Sequence, residues 1–275
     1  MKLFKKLKTR FFKRLTKKLL KSEGQTYVDL FNRKSSLLGT PVTVSWDGKV
    51  YTVHDKDIPG REYQFRHERQ GHLAYLNGFR TRAQSLGNAY FLSGIDFKDG
   101  DVVFDCGANT GDLKLWFEVN GLAVEYVGFE PSPIEFSCLK KNVAPATVHN
   151  VGLWNDDGEM TFYVSSQGAD SSLIEPPEFD EKITVATRKL AAFVDRRIKL
   201  LKLEAEGAEP EILEGLGDRL SEIEYVSADL GFERGLKAES TFVPVANYLM
   251  SRDFEMVDVG HKRICALFRN KAFKA

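Results

Sequence analysis

The sequence has few cysteines, no long apolar run and no net charge. Its 275 residues include 3 cysteines with no C-x-x-C or Cys/His ligand spacing, so neither a disulfide framework nor a structural zinc site is predicted. Apolar runs stay well below the roughly 18 residues of a membrane span. Lysine or arginine interrupts each short apolar stretch near residue 1, so no signal peptide is predicted. These absences favour a reducing compartment, and we expect a cytoplasmic location.

The charges are unevenly distributed, although basic and acidic residues number 39 each. The first 21 residues hold ten lysines and arginines and no acidic residue, which leaves the remaining chain with 29 basic against 39 acidic residues. A net charge of −10 on that main body disfavours nucleic acid as a partner.

Residues 1–21 carry apolar side chains at helical spacing. The stripe recurs at steps of three and four residues and consists of Phe4, Leu7, Phe11, Leu15 and Leu19, which predicts an amphipathic basic helix over 1–21. Such a helix suits an anionic membrane surface, because each nearby cation adds roughly 1 kcal/mol of attraction. Two alternatives stand beside this hypothesis: the stripe packs on the protein's own body, or the segment is a targeting peptide.

Residues 22–94 are interpreted as an N-terminal cap. Two alternating β-rich runs within residues 42–54 meet at Asp47-Gly48, which is a strong hairpin signal. The stretch from Arg61 to Tyr90 is rich in arginine, histidine and tyrosine and predicts one or two helices. Their polar side chains either line a pocket for a hydroxyl-rich or anionic acceptor or form a solvated face.

A strand, a glycine loop and a helix follow at residues 101–119. Gly107 and Gly111 let the backbone approach a ligand closely, and the helix that begins near Asp112 offers free amide donors. The next strand ends in Glu130, which is placed to accept hydrogen bonds from ribose hydroxyls. This pattern predicts an α/β unit that binds a ribose-bearing cofactor.

The loop decides which cofactor is expected. The dinucleotide fingerprint G-x-G-x-x-G is absent, and Asp105 precedes the first loop glycine by two residues. This carboxylate would repel a phosphate but suits a cationic amino-acid group, which disfavours a nicotinamide-dependent oxidoreductase. The pattern D-x-G-x-N-x-G followed by a strand ending E-P resembles the first two motifs of Rossmann-like S-adenosylmethionine-dependent methyltransferases.

A second segment sharpens this resemblance. Residues 201–215 read L-K-L-E-A-E-G-A-E-P-E-I-L-E-G and resemble the K-I-D-V-E-G-A-E-x-x-V-L-x-G signature of the FkbM family of methyltransferases. The likeness extends to the loop at 169–173 and to a hairpin-like segment at 152–158 with its continuation at 161–164. It covers about residues 95 to 269. One departure is Glu204, which stands where the family has an aspartate.

The resemblance implies an α/β fold over residues 95–275, with a Rossmann-like seven-stranded sheet, helices on both faces and a reversed last strand. The local pattern agrees, because strand-like and helix-like segments alternate through residue 232. Residues 254–259 and 263–268, joined by Gly260, His261 and Lys262, predict a closing hairpin. Pro210 predicts that a helix begins near Glu209.

The same resemblance assigns a binding site for S-adenosyl-L-methionine. The predicted cofactor-binding residues are Asp105, Gly107, Ala108, Asn109, Gly111, Glu130, Leu153 and Trp154. Leu153 and Trp154 are expected near the adenine, although a core position is the alternative for Trp154.

Three acidic residues are the catalytic candidates. Glu204 and Glu206 follow one predicted strand of the sheet and Asp229 ends the next, and clustered carboxyls can raise one another's pKa until one becomes a usable base. We expect Glu204 or Glu206 to orient or deprotonate an acceptor hydroxyl. As the alternative, Glu206 accepts backbone amides and Glu209 caps the next helix. A magnesium site from the three acids is disfavoured, and no metal site is predicted.

The functional hypothesis is an O-methyltransferase of surface-polysaccharide or secondary-metabolite chemistry. The expected acceptor is a sugar hydroxyl in a glycan or glycolipid, reached at the cytoplasmic membrane face through residues 1–21. Two alternatives remain: a methyltransferase of another small molecule, and a membrane-docked adaptor that keeps the fold without catalysis.

Overall fold

The computed structural model of the chain describes residues 2–165, 170–260 and 263–273, with side chains from residue 10 onward. The chain divides into two compact units, Met1–Arg82 and Ala83–Ala275. Parts of three sequence predictions lie outside the described residues: Ala169, His261, Lys262, and the side chains of Phe4 and Leu7.

The first unit combines helices with a small antiparallel sheet. Its elements are α1 (Lys2–Leu19), α2 (Gly24–Leu38), β1 (Val42–Trp46), β2 (Tyr51–Asp55), β3 (Glu62–Phe65) and α3 (Glu68–Tyr75), and α4 (Phe79–Ala89) contains the boundary between the units. The strands pair in the order β1-β2-β3, which confirms the predicted hairpin. The helices predicted after Arg61 form as α3 and α4, but the first residues of that stretch form β3 instead. Tyr63 and Phe65 are fully buried, and this alternating inward pattern is that of a strand.

Helix α1 buries part of its apolar stripe within this unit. Leu15 and Leu19 are buried, whereas Phe11 and Leu20 are exposed. A polar contact accompanies this packing, because the Nζ atom of Lys34 on α2 lies 2.6 Å from the hydroxyl of Thr16. In the described part of α1, the C-terminal end of the stripe therefore packs on the protein's own body.

The second unit contains the large sheet. Its elements are β4 (Val102–Cys106), α5 (Leu113–Val119), β5 (Glu125–Phe129), α6 (Pro133–Asn142), β6 (Thr147–His149), β7 (Gly152–Trp154), β8 (Gly158–Val164), β9 (Glu181–Lys189), β10 (Ile198–Leu203), α7 (Glu209–Leu216), β11 (Ile223–Asp229), β12 (Phe232–Arg234), β13 (Glu239–Ser240), α8 (Phe242–Met250), β14 (Phe254–Val259) and β15 (Cys265–Asn270). Helix α7 begins at Glu209, as Pro210 predicts.

Seven strands form the sheet in the order β14-β15-β11-β10-β4-β5-β6. The pairs between β6 and β11 are parallel, and β15 runs antiparallel to both of its neighbours. The α/β fold class, the strand count and the reversed last strand are therefore confirmed. Every residue of β4 is buried and β10 has only Lys199 partly exposed, as expected for central strands of a covered parallel sheet.

The hairpin-like segment predicted at residues 152–158 is wrong. Strands β7 and β8 do not pair with each other, because β9 lies between them in a separate three-stranded sheet of order β7-β9-β8. Strand β9 pairs in parallel with β7 and antiparallel with β8. The turn residues at 155–157 look like a hairpin connection locally, but β9, which begins 17 residues after β8 ends, supplies the partner for both segments.

The topology brings polar residues together at one edge. Parallel strands β4, β5, β10 and β11 all end at the same side of the sheet, where ligands bind in folds of this kind. No helix in the described part of the chain is long and apolar enough to cross a membrane.

Candidate active site

The glycine loop after β4 is packed tightly against its surroundings. Gly107 has φ +69°, and a side chain there would begin 1.7 Å from the carbonyl oxygen of Glu204. Gly111 has φ +88°, and its side chain would begin 2.4 Å from Val143, the residue that follows α6. Both positions therefore require glycine for two reasons, since other residues disfavour the left-handed conformation and would also collide with the adjacent elements.

Glu130 closes this loop from the end of β5. Its two carboxyl oxygens accept hydrogen bonds from the backbone amides of Asn109, at 2.8 Å, and Ser132, at 2.9 Å. Burial, together with nearby Glu135, raises the pKa of Glu130 to about 8. Each carboxyl oxygen keeps a second lone pair, so Glu130 can hold the loop and accept a ribose hydroxyl at the same time.

Lys202, the fifth residue of β10, occupies the centre of the site. Its Nζ atom lies 3.0 Å from Asp105 and 3.3 Å from Glu204, and it donates a hydrogen bond to the carbonyl of Gly107 at 2.9 Å. Asp105 also accepts a hydrogen bond from the hydroxyl of Tyr126 at 2.6 Å. Burial opposes the charge on Lys202, but the two carboxylates outweigh it and raise the pKa of Lys202. One buried cation therefore ties β4, its glycine loop and β10 together.

Glu204 is held as a carboxylate. It accepts hydrogen bonds from the hydroxyl of Tyr90 and from the guanidinium of Arg263, in addition to the contact with Lys202. Burial alone would raise the pKa of Glu204, but Lys202, Arg263 and Tyr90 lower it to about 2. This environment suits Glu204 for orienting other groups and makes it a weak proton acceptor.

Asp229 is linked to Glu204 by Arg263, which contacts both carboxylates. Arg263 donates to both carboxylates, and the amide of Gly231 donates to Asp229 at 3.2 Å. Burial raises the pKa of Asp229, which Arg263 partly offsets. Among the residues that the structure describes, no group of three histidine, cysteine, aspartate or glutamate side chains is arranged to hold a metal ion.

Glu206 has the most strongly raised pKa of the three catalytic candidates. Its backbone has φ +49°, and burial, with Glu233 and Glu204, raises its pKa to about 10. Glu209 holds the surrounding loop, since its carboxylate accepts the amides of Ala205, at 2.9 Å, and Gly207, at 3.3 Å. The helix-capping role considered for Glu209 is not observed, because the amides that it accepts precede α7. The Glu206 side chain is a partly buried carboxyl at this edge.

The remaining predicted cofactor residues lie in or near the core. Ala108 is buried, and its amide donates to the carbonyl of Phe129 at 2.9 Å. Leu153 is buried in the main hydrophobic cluster and Trp154 packs partly buried against it. A contact of either residue with adenine stays a prediction.

The sequence analysis missed five residues of this site: Tyr90, Tyr126, Lys202, Glu233 and Arg263. Lys202 offered a signal, because a lysine between two leucines of a buried strand needs carboxylate partners. Tyr90 and Arg263 are 114 and 59 residues from Glu204, the carboxylate to which both donate, so only the fold brings them together.

The site's charge indicates the ligand that it fits. The two cations among the acids at this edge, Lys202 and Arg263, are already paired with carboxylates. The carboxyl side chains at this edge include Asp105, Glu130, Glu204, Glu206, Asp229 and Glu233. Such a donor set suits a cationic ligand with ribose hydroxyls and disfavours a pyrophosphate. The residues therefore fit S-adenosylmethionine.

Comparison with known proteins decides the family. The model of the methyltransferase FkbM domain matches residues 105–264, which include the glycine loop, Glu130, the acidic residues after β10 and Arg263. The chain belongs to the FkbM methyltransferase family. It is an S-adenosylmethionine-dependent methyltransferase, as the motifs predict.

Curated relatives of this FkbM methyltransferase are distant. The 31-O-demethyl-FK506 methyltransferase FkbM of Streptomyces tacrolimicus is 26% identical over 53% of this chain and 72% of its own length. Methyltransferase 1 of Beauveria bassiana is 26% identical over 44% of this chain and 61% of its own length. Among solved structures, a SAM-dependent methyltransferase from Aquifex aeolicus is 10% identical, with a TM-score of 0.40, over 70% of this chain and 95% of that chain.

Replacing Lys202 should test how strongly it organises the site. We expect Lys202→Met to lower the free energy of unfolding by about 3 to 5 kcal/mol, because it leaves a buried carboxylate unpaired. Lys189→Met is the control, since its pair with Asp156 lies at the surface, where solvent screens it and its contribution is small. Urea denaturation measures both. Asp105→Asn added to Lys202→Met should recover part of the loss, and equal losses in the two lysine variants would contradict this role.

The raised pKa of Glu206 predicts a pH dependence of stability. Its ordinary pKa is 4.5 and its pKa in the fold is about 10, so the folded state holds the extra proton between these values. The contribution of Glu206 to stability is therefore fully present below pH 4.5 and is lost as the pH rises towards 10. Thermal melting across this window should show a shallower decline for Glu206→Gln than for the wild type. Glu181→Gln, at an exposed position, should keep the wild-type slope; parallel curves for all three would contradict the assignment.

Proposed function

We propose that this FkbM methyltransferase transfers a methyl group to a hydroxyl of a sugar in a glycan or glycolipid. An oxygen acceptor is chosen because of Glu206, a carboxyl group with a raised pKa in the loop that packs against the glycine loop. A hydroxyl must lose its proton as it is methylated, and a carboxylate of raised pKa is a suitable acceptor. The name of the Streptomyces tacrolimicus relative, which gives an O-demethylated compound as its acceptor, supports oxygen.

In this proposal each acidic side chain has a separate role in catalysis. S-adenosylmethionine supplies a methyl group on a positively charged sulfur. Glu206 takes the proton of the acceptor hydroxyl on a carboxylate oxygen, and a cation bound nearby lowers its pKa and so favours the charged form that can do this. Glu204 and Asp229, fixed by Arg263, orient the acceptor by accepting hydrogen bonds from neighbouring hydroxyls.

A test separates cofactor binding from methyl transfer. Titration calorimetry with S-adenosylmethionine should show binding to the wild type, Glu206→Gln and Glu181→Gln, and weakened binding to Asp105→Ala and Glu130→Ala. With radiolabelled cofactor and a panel of methyl glycosides as acceptors, Glu206→Gln should lower kcat by about a hundredfold or more. Wild-type turnover in Glu206→Gln would reject it as the base. Cofactor binding without transfer to any glycoside would favour a different small-molecule acceptor, and no cofactor binding would favour the non-catalytic adaptor.

We further propose that α1 places the enzyme at the inner, anionic face of a membrane. Support comes from its exposed basic side chains, which include Lys13, Arg14, Lys17 and Lys18. Because Leu15 and Leu19 are buried in the first unit, attraction to the lipid is mainly electrostatic and depends on ionic strength.

Charge reversal on α1 tests this location. In liposome sedimentation, the Lys17→Glu/Lys18→Glu variant should bind vesicles of phosphatidylglycerol and phosphatidylcholine more weakly than the wild type does. Lys140→Glu/Lys141→Glu is a matched control, because these lysines are also exposed neighbours in the last turn of a helix. Equal sedimentation of both variants, or no preference of the wild type for anionic over neutral vesicles, would overturn the proposal.

A further inference from the structure

The small hairpin β12–β13 lies directly beside the catalytic acids. It begins three residues after Asp229, the last residue of β11, and therefore rises from the edge of the sheet at which the cofactor loop lies. The family signature in residues 201–215 does not include it, and the sequence analysis assigned it no role.

The hairpin is fixed near its turn to the loop that carries Glu206. Arg234 forms a two-pronged ion pair with Glu211, at 2.6 and 2.8 Å, and also donates to the carbonyl of Gly207. At the base of the hairpin, the hydroxyl of Ser240 donates to the carbonyl of Leu230 at 2.6 Å. The hairpin is thus held at a defined position relative to Glu206 rather than hanging free.

A bulge in the hairpin directs Glu233 towards the acids. The pairing shifts register between Phe232 and Arg234, so that Glu233 is the additional residue of β12, and bulges of this kind re-aim side chains beside active sites. Carboxyl oxygens of Glu233 and Asp229 both lie within 3.5 Å of the point where a side chain of Gly231 would begin. Burial, with Asp229 and Glu204, raises the pKa of Glu233 to about 7. Glu233 therefore belongs to the same cluster of carboxyl groups as Asp229, Glu204 and Glu206.

Phe232, the neighbour of Glu233, exposes its ring to solvent. Its side chain is 67% exposed, as is that of Leu236 at the tip of the same hairpin. An aromatic ring that the fold leaves uncovered next to hydrogen-bonding carboxylates matches the chemistry of a sugar ring. Sugars present an apolar C–H face, which meets the electron-rich face of an aromatic ring, and hydroxyls at their rim, which donate to carboxylates.

We propose that the β12–β13 hairpin is the acceptor subsite, in which Phe232 stacks on the C–H face of a sugar ring while Glu233 and Glu206 accept hydrogen bonds from its hydroxyls. This inference rests on the proposed function, because it takes the acceptor to be a sugar. It adds the position of the acceptor and a residue, Phe232, that recognises it without touching the methyl group.

Saturation-transfer NMR tests the subsite without a known natural acceptor. The probes are the methyl glycosides of glucose, galactose and rhamnose, and cyclohexanol, each added to the protein saturated with S-adenosylhomocysteine. We expect saturation of the ring C–H protons of at least one glycoside in the wild type. Phe232→Ala should weaken that binding about tenfold, and Phe232→Trp should retain it. Met250→Ala is the matched control, since Met250 is 54% exposed at the end of α8 and should bind like the wild type.

The outcomes separate this inference from the proposed function. Equal binding by Phe232→Ala and the wild type overturns the subsite, even where methyl transfer to a glycoside is observed. If cyclohexanol gives a saturation-transfer signal and none of the glycosides does, a sugar acceptor is rejected. The hairpin would then bind a purely apolar acceptor. Titration calorimetry on the same samples should give the same affinity for S-adenosylmethionine in the wild type and in every variant. If the wild type did not bind the cofactor, both the proposed function and the subsite would be overturned.

Discussion

The buried ammonium group of Lys202 is the interaction on which the site depends. It lies among Asp105, Glu204 and the carbonyl oxygens of Cys106 and Gly107, at a position where an uncompensated charge would be strongly unfavourable. Because three parts of the chain share this one cation, none of them can move independently. The glycine loop therefore holds its shape from the fold itself, and S-adenosylmethionine meets a site whose backbone is largely arranged in advance.

Electrostatics then divides the acids into two kinds. Glu204 has cations and a tyrosine hydroxyl around it, and its pKa falls to about 2. Burial, together with the other carboxyls around it, raises the pKa of Glu206 to about 10. The two glutamates are two residues apart in sequence but differ in their capacity to take a proton, since environment rather than residue type sets the pKa. Either glutamate could have been the base on the evidence of sequence alone.

Local patterns predicted the sheet well because each strand and loop carries its own signal. The apolar run of β4, the loop glycines and Glu130 are contiguous features, and they appear where expected. Strand pairings between distant segments were harder to predict from the sequence. The insertion of β9 between β7 and β8 is an example, because residues 152–164 contain no information about a strand that begins at residue 181. Arg263 and Tyr90 were not predicted as site residues for the same reason, because tertiary packing brings them to their partners.

Glu209 links the cofactor side and the hairpin side of this edge. One oxygen of its carboxylate accepts the amides of Ala205 and Gly207, and the other accepts the hydroxyl of Thr241, which follows β13. Within the hairpin that precedes Thr241, the side chains of Phe232 and Leu236 are each 67% exposed. Such a hairpin can change its exposed residues during evolution at little cost to folding or to the cofactor loop, so acceptor choice can diverge among relatives while the chemistry is inherited intact.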